Sequence, residues 1–208
     1  MKIGITGGIG SGKSYVCRLL AARGIYVYDC DMAAKRLMNT SPQLRQQIIE
    51  LIGPDAYLPH EPYESEESNE SPEAHSPQFS PLNKAAVTRF LMSSEDNAAA
   101  LDAIVHPAVF RDFEESGMQW MESAILFESG IYRLVDKVIV VSAPDAIRRQ
   151  RVMQRDGITE QKAQQWMDKQ WPQDLVRQRA DYVIVNDGLT PLEPQIDRIL
   201  AAKMINDK

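Results

Sequence analysis

Apolar positions in this 208-residue chain follow two rhythms. Short unbroken apolar runs mark buried strands, and longer stretches with apolar residues every three or four positions mark amphipathic helices. Lys2–Thr6 reads as a strand, and Ser14–Arg23, with Val16, Leu19 and Leu20, reads as a helix stopped by Gly24. Ile25–Asp31 reads as a second strand running out to two acids. Met32–Met38 and Pro42–Ile52 read as helices, the second opened by Ser41-Pro42 and stopped by Gly53-Pro54. Leu82–Met92 and Asp96–Val105 follow as helices. His106-Pro107 then interrupts the pattern, because a residue before proline avoids the helical region, and a fresh helix is predicted over Ala108–Glu115. Gln119–Phe127 reads as a third strand ending at Glu128, and Lys137–Ser142 is the clearest buried strand. A helix from Pro144 to about Arg155, a turn at Asp156-Gly157, and helices over Thr159–Gln170 and Pro172–Ala180 come next. Asp181–Val185 is the last strand, Asn186-Asp187-Gly188 a tight turn, and a final helix runs to about Lys203. Strands alternating with helices predict an α/β fold with a parallel sheet.

Pro54–Pro81 breaks both rhythms. Glu61, Glu64, Glu66, Glu67, Glu70 and Glu73 are interleaved with serines and prolines, and no Lys or Arg occurs between Arg45 and Lys84. Such a composition buries no core and predicts an exposed, mobile loop with no catalytic part. Elsewhere the composition is that of a soluble globular protein, 44% hydrophobic and 25% charged, with room for one domain carrying a subdomain. A net charge of −6 speaks against a broad nucleic-acid surface. No apolar run approaches the ~20 residues of a membrane span, and the chain opens on a strand with no signal-peptide pattern, so a cytoplasmic location without a membrane partner is expected. Cys17 and Cys30 make no metal or redox spacing and read as small buried residues. His60, His75 and His106 are too scattered for a metal site.

The chemistry gathers at Gly7–Ser14, which reads Gly-Gly-Ile-Gly-Ser-Gly-Lys-Ser and fits the P-loop pattern G-x-x-x-x-G-K-[ST]. A triphosphate needs several N–H donors converging on its oxygens, so the backbone must curl round it without side chains in the way. The loop lies between a predicted strand and a predicted helix, whose first N–H groups and dipole favour an anion. Gly8, Ile9, Gly10, Ser11, Gly12, Lys13, Ser14 and Tyr15 are therefore the candidate nucleotide-binding residues, with Lys13 reaching the β- and γ-phosphates and Ser14 the candidate Mg²⁺ ligand.

Further candidates lie at the ends of strands and on the arginine-rich helix. Asp29 and Asp31, two apart in an extended segment, point the same way, and Asp31 is the preferred acceptor-side acid; the alternative is a pair of solvated acids capping the next helix. Glu122 lies where a Walker-B-like acid belongs, and Glu128 at the carboxyl end of its strand. Arg148, Arg151 and Arg155 share one helical face, and Arg151 and Arg155 are candidates to close over the transferring phosphoryl group. His106 meets the acceptor or is a hydrogen-bonded histidine at a helix kink. The turn Asn186-Asp187-Gly188 falls where the nucleotide base lies in P-loop folds.

Several of these segments together resemble the dephospho-CoA kinase family. They are Ile5–Ser14, Asp29-Cys30-Asp31, Leu101–Pro107, Leu126-Phe127-Glu128, Arg151–Gly157, Gln170, and Ala180-Asp181-Tyr182 leading to Asn186-Asp187-Gly188. The resemblance covers nearly all of the chain outside Pro54–Pro81. It implies a P-loop NTPase three-layer sandwich, with a nucleotide core over about 1–31, 118–147 and 180–208. A helical acceptor (CoA) subdomain over about 32–117, with its flexible insertion 54–81, and a small lid over about 148–179 complete the single domain 1–208. It also implies transfer of the ATP γ-phosphate to the 3′-hydroxyl of dephospho-CoA with Mg²⁺. Asp31 would orient or deprotonate the hydroxyl, and Arg151 or Arg155 would act from the lid. His106, Phe127 and Glu128 would line the acceptor pocket, and Asn186–Gly188 would lie near adenine. The chain departs from the family pattern at Tyr15, Glu122, Trp166 and Val185 and in the acidic insertion. The rivals are a nucleoside or nucleotide kinase of the same fold and a nucleotide-binding protein without turnover.

Overall fold

The computed structural model describes residues 1–59 and 79–206. Strands β1 (Ile3–Thr6), β2 (Tyr28–Asp29), β3 (Trp120–Glu122), β4 (Lys137–Ser142) and β5 (Tyr182–Val185) form one sheet in the order β2-β3-β1-β4-β5. Every pairing is parallel. The helices are α1 (Lys13–Ala21), α2 (Cys30–Thr40), α3 (Pro42–Ile52), α4 (Lys84–Ser93), α5 (Asp96–Glu115), α6 (Asp145–Asp156), α7 (Glu160–Asp168), α8 (Gln173–Arg179) and α9 (Glu193–Asn206). The chain divides into two compact units, Met1–Cys30 with Phe113–Lys208, and Asp31–Asp112. Residues 148–179 fall within the first.

The first unit holds the sheet. β1 is buried along its whole length and β4 along all but its first residue, as central parallel strands must be when both faces are covered. Ile3, Ile5, Ile139, Val141 and Ile184 pack on Val16 and Leu20 of α1 and on Ile196 and Ile199 of α9. Burial of each such side chain contributes about 1.5–3 kcal/mol. Asp181 ties the near ends of β4 and β5: its carboxylate accepts from the Val138 N–H at 2.8 Å and from Lys137 Nζ at 2.8 Å.

Two strands are shorter than their apolar runs predict. β2 keeps only Tyr28 and Asp29, paired with Met121 and Glu122 of the three-residue β3. Residues 25–27 precede the sheet, and Tyr26 is 74% exposed. β3 stops at Glu122 because the Ser123 hydroxyl accepts from the Ile125 N–H at 3.3 Å and turns the chain. Phe127 and Glu128 therefore lie beyond the strand. Cys30 and Asp31 belong to the first turn of α2, so the period-two argument that aligned Asp29 with Asp31 does not hold.

The second unit is helical. The Ser41 hydroxyl caps α3 by accepting from the Leu44 N–H at 3.3 Å, and Pro42 sits at its first position. α5 runs unbroken through Pro107, against the predicted interruption. Proline in a helix interior costs about 3 kcal/mol. Here Pro107 and Ala103, whose carbonyl the ring deprives of a donor, are both exposed, so water can serve that carbonyl. Val105, Ala108 and Val109 are buried on the other side, and their burial outweighs the lost bond.

The ends of the acidic segment are also ordered, contrary to the predicted loop. Ala56 and Tyr57 are buried. Tyr57 bridges to Leu82, and its hydroxyl donates to the Met38 carbonyl at 2.7 Å. The Arg45 guanidinium lies 3.8 Å from the Tyr57 ring centroid and donates to the Asn39 and Ser80 carbonyls at 3.0 and 2.7 Å. Arg45, outside the segment, and Tyr57, near its start, hold its two ends. The six predicted loop glutamates lie outside the described residues, as do His60 and His75.

Candidate active site

β1 delivers the chain into the glycine loop, and α1 begins at Lys13. The loop's carbonyls face outward and each meets a donor. Gly7 O accepts from Lys13 Nζ at 2.8 Å and Gly8 O from the Ser11 N–H at 3.0 Å. Ile9 O accepts from Arg148 Nε at 3.0 Å, and Ser11 O from Asn186 Nδ2 at 2.8 Å. Arg151 Nη1 stands 3.4 Å from both Gly10 O and Ser11 O. Gly12 O starts the helix by accepting from the Tyr15 and Val16 N–H groups.

The amides divide into two sets. The Gly8 and Ile9 N–H groups donate to the side-chain oxygens of Gln173 (3.3 Å) and Gln170 (2.7 Å). The Gly10, Gly12 and Ser14 N–H groups have no hydrogen-bond partner among the described residues. The Ser11 hydroxyl is buried and also without a partner there. Such a row of donors at a helix N-terminus, beside a lysine, suits a polyphosphate. The curl needs glycine at two points. Gly10 (φ 79°) rests against the Arg148 backbone, and Gly12 (φ 96°) against the Asn186 side-chain amide, where a Cβ would collide.

Carboxylates stand at the carboxyl edge of the same sheet. Glu122 is in register with Ile5 of β1 on one side and Asp29 of β2 on the other. Cys17 reports their proximity: its thiol is pushed up to about 12, first by burial and then by the charges of Glu122 and Asp29, while Lys13 works the other way. Two acids and the exposed Ser14 hydroxyl fit the oxygen chemistry of Mg²⁺ or its waters. Among the described residues no group of three or more His, Cys, Asp or Glu could hold a metal ion.

The three face-sharing arginines separate. Arg148 is 3% exposed, and burial holds its pKa below the ordinary value against the opposing pull of Asp145, 2.9 Å away. Arg151 touches the loop and, at 3.4 Å, Asn186 Oδ1. Arg155 does not reach the loop. Its side chain is 61% exposed and forks onto Asp156 at 2.9 and 2.7 Å, a hydrogen bond that raises its pKa against some desolvation. In the turn after β5, the Asp187 carboxylate accepts from the Thr190 and Leu189 N–H groups at 2.7 and 2.9 Å, which lowers its pKa. Gly188 sits at φ 83°. A cavity of about 500 Å³ opens beside the carboxyl ends of β4 and β5, lined by Ser142, Pro144, Gln173, Val185 and Asp187 among others.

Beyond β3, Phe127 stacks on Trp171 with centroids 6.1 Å apart and planes 5° off parallel. Glu128 Oε1 accepts from the Trp171 N–H at 3.1 Å, and Arg179 lies over both rings. In the second unit, Asp31 is exposed in the first turn of α2. His106 Nε2 lies 3.6 Å from Asp102 Oδ1, and its ring stacks on Phe110.

A sequence model of the family described as Dephospho-CoA kinase matches residues 1–61 and 73–191. The chain belongs to the dephospho-CoA kinase family. Curated dephospho-CoA kinases similar to it include that of Porphyromonas gingivalis, 38% identical over 95% of this chain and 92% of its own. Another is that of Bacteroides fragilis, 34% identical over 97% and 92%. Among solved structures, a Thermus thermophilus protein is 29% identical with a TM-score of 0.74, covering 99% of this chain and 97% of its own. The dephospho-CoA kinase of Campylobacter jejuni, 18% identical over 99% and 98%, shares the fold with a TM-score of 0.61. The fold is that of the P-loop kinases.

Residues to which the sequence alone assigns no part in the nucleotide site complete the loop's surroundings. Arg148 had a signal, since it lies three residues before Arg151 on one helical face. Gln173 had none: a polar residue at the start of a short helix is ordinary. Gln170 was marked through the family resemblance alone; its Nε2 also faces the Ala124 carbonyl at 3.4 Å.

Proposed function

We propose that this kinase transfers the γ-phosphoryl group of ATP to the ribose 3′-hydroxyl of dephospho-CoA, giving CoA and ADP, the last step of coenzyme A synthesis. The observation that carries the reading is the row of unpaired loop amides beside Lys13, in a chain that matches the family along nearly its whole length. The bond from the γ-phosphorus to the β–γ bridging oxygen breaks and a bond to the 3′-oxygen forms. The hydroxyl proton passes to the Asp31 carboxylate. Lys13 swings from the Gly7 carbonyl to the β- and γ-phosphates, and the amides of Gly10, Gly12 and Ser14 take the oxygens on which charge accumulates.

Ser14 would hold Mg²⁺, with Glu122 and Asp29 orienting its waters. The ion would supply charge neutralisation on the phosphates. Arg151, already on the loop, or Arg155, after release from Asp156, closes over the transferring group. His106, Phe127 and Glu128 contact the acceptor. The turn of Asn186, Asp187 and Gly188 borders the adenine. Residues 32–117 serve the acceptor and 148–179 act as lid on the core. No helix among the described residues is long and apolar enough to cross a membrane. The protein works in the cytoplasm on a small molecule, without a nucleic-acid or membrane partner.

The test is ADP release by the purified protein with Mg-ATP and dephospho-CoA, adenosine, CMP, dTMP or no acceptor. Turnover with dephospho-CoA alone, and a product heavier by one phosphate, is the expected result. Turnover with a nucleoside or nucleotide instead would sink the acceptor assignment.

A further inference from the structure

Arg148 occupies an unusual position for an arginine. It is almost fully buried at the back of the glycine loop, and neither the loop motif nor the two lid candidates calls for it. Its Nε–H donates to the Ile9 carbonyl at 3.0 Å. Its Nη1 is held at 2.9 Å by Asp145, one helical turn earlier. Its terminal nitrogen lies against Gly8, so closely that a Cβ there would collide with it. Its own backbone supports Gly10. A side chain fixed at both ends of its guanidinium acts as a rigid rod rather than a solvated charge.

The peptide bond makes this more than packing. A carbonyl and the N–H of the next residue lie in one plane and point in opposite directions. Fixing Ile9 O therefore fixes the direction of the Gly10 N–H. That amide is one of the donors left without a partner in the loop. A cation on the carbonyl also draws electron density away from the N–H at the far end of the same peptide, making it a stronger donor. Asn186 does the same for the Gly12 N–H through Ser11 O with a neutral donor at 2.8 Å, and Arg151 reaches that carbonyl at 3.4 Å.

We infer that Arg148 is a positioning residue for the phosphate cradle, aiming and polarising the Gly10 N–H toward the triphosphate through the Ile9 carbonyl. It rests on the proposed ATP chemistry only in taking the loop as the phosphate site.

The test measures ATP binding by calorimetry with Mg²⁺ and no acceptor, beside kcat, both KM values and the melting temperature. Arg148→Met removes the charge at similar length. It should weaken ATP binding roughly ten- to a hundredfold, the range expected for one lost charged hydrogen bond, and lower kcat, with the dephospho-CoA KM within about twofold. Arg148→Lys, with charge but no fork, should recover part of the loss. Gly8→Ala pushes on the same guanidinium from the loop side and serves if Arg148→Met fails to fold. Combined with Arg148→Met it should add less than its own separate effect. ATP affinity and kcat unchanged within about twofold in Arg148→Met, whatever its melting temperature, would overturn the inference, as would full additivity with Gly8→Ala. Failure to phosphorylate dephospho-CoA would instead sink the acceptor assignment and leave the ATP comparison standing.

Discussion

Asn186 offers the most discriminating perturbation of the nucleotide site. Sequence position alone puts it beside the base. In the structure its side-chain N–H donates to Ser11 O at 2.8 Å, and its oxygen faces Arg151 at 3.4 Å. Ser11 O is the far end of the peptide that carries the Gly12 N–H, so Asn186→Ala should loosen an amide donor, not a base contact. A neutral hydrogen bond contributes about 0.5–1.5 kcal/mol net. The Ser11 carbonyl keeps Arg151 at 3.4 Å as a weaker partner, which limits the desolvation penalty. About 1 kcal/mol is then lost, or roughly fivefold in affinity. The assay compares ATP, GTP and inorganic tripolyphosphate as competing ligands of wild type and Asn186→Ala. All three should weaken by the same factor, with the ATP-to-GTP preference unchanged. Tripolyphosphate binding unaltered while that preference collapses would refute the reasoning and return Asn186 to base recognition.

Asp31→Asn should cut turnover by about 10²–10⁴ while the ATP dissociation constant stays within twofold, since a general base acts on the acceptor proton alone; unchanged turnover removes Asp31 from the mechanism. Arg155→Ala should leave the melting temperature within a degree or two, because a largely exposed pair such as Arg155–Asp156 contributes little; a drop of many degrees would make it a structural pair. Cys17, pushed up to about 12 by burial first and by Glu122 and Asp29 next, has a thiolate fraction of roughly one in ten thousand at pH 8, so the native protein should resist thiol reagents that label it once unfolded. An unfolded thiol loses its proton near pH 8.5 and the folded one does not. The contribution of Cys17 to stability is therefore fully present below that pH and lost as pH rises toward 12. Rapid native labelling at pH 8 would contradict this.

What could be read before folding was what lies in consecutive residues. Lys137–Ser142 is strand at the predicted bounds, because six residues of one character, buried on both faces, leave no competing period. Pro42–Ile52 is likewise helix at the predicted bounds, because serine, proline and glycine act locally on the backbone. The misreadings share a different cause. Ile25–Val27 are apolar enough for a strand, but a strand needs a pairing partner, and only Tyr28 and Asp29 pair with the three-residue β3. Pro107 looks like a break until one knows which side of α5 faces water. Tyr57 is buried beneath the guanidinium of Arg45, a contact from the preceding helix that no local period announces. The site divides the same way. The glycine motif announced the loop, whereas the contacts of Arg148, Gln170 and Gln173 with it span more than 130 residues of sequence.

Gly8, Gly10 and Gly12 each face protein, namely the guanidinium and backbone of Arg148 and the amide of Asn186. Selection on these glycines is therefore exerted by the resting molecule, before any substrate arrives. A descendant that ceased to turn over would still feel those contacts whenever the loop keeps its curl, while Lys13 and Asp31 would be released to drift. Across diverging copies the two kinds of position should decay on different clocks. The glycines of the signature would date the scaffold, and the lysine and the aspartate the proposed chemistry.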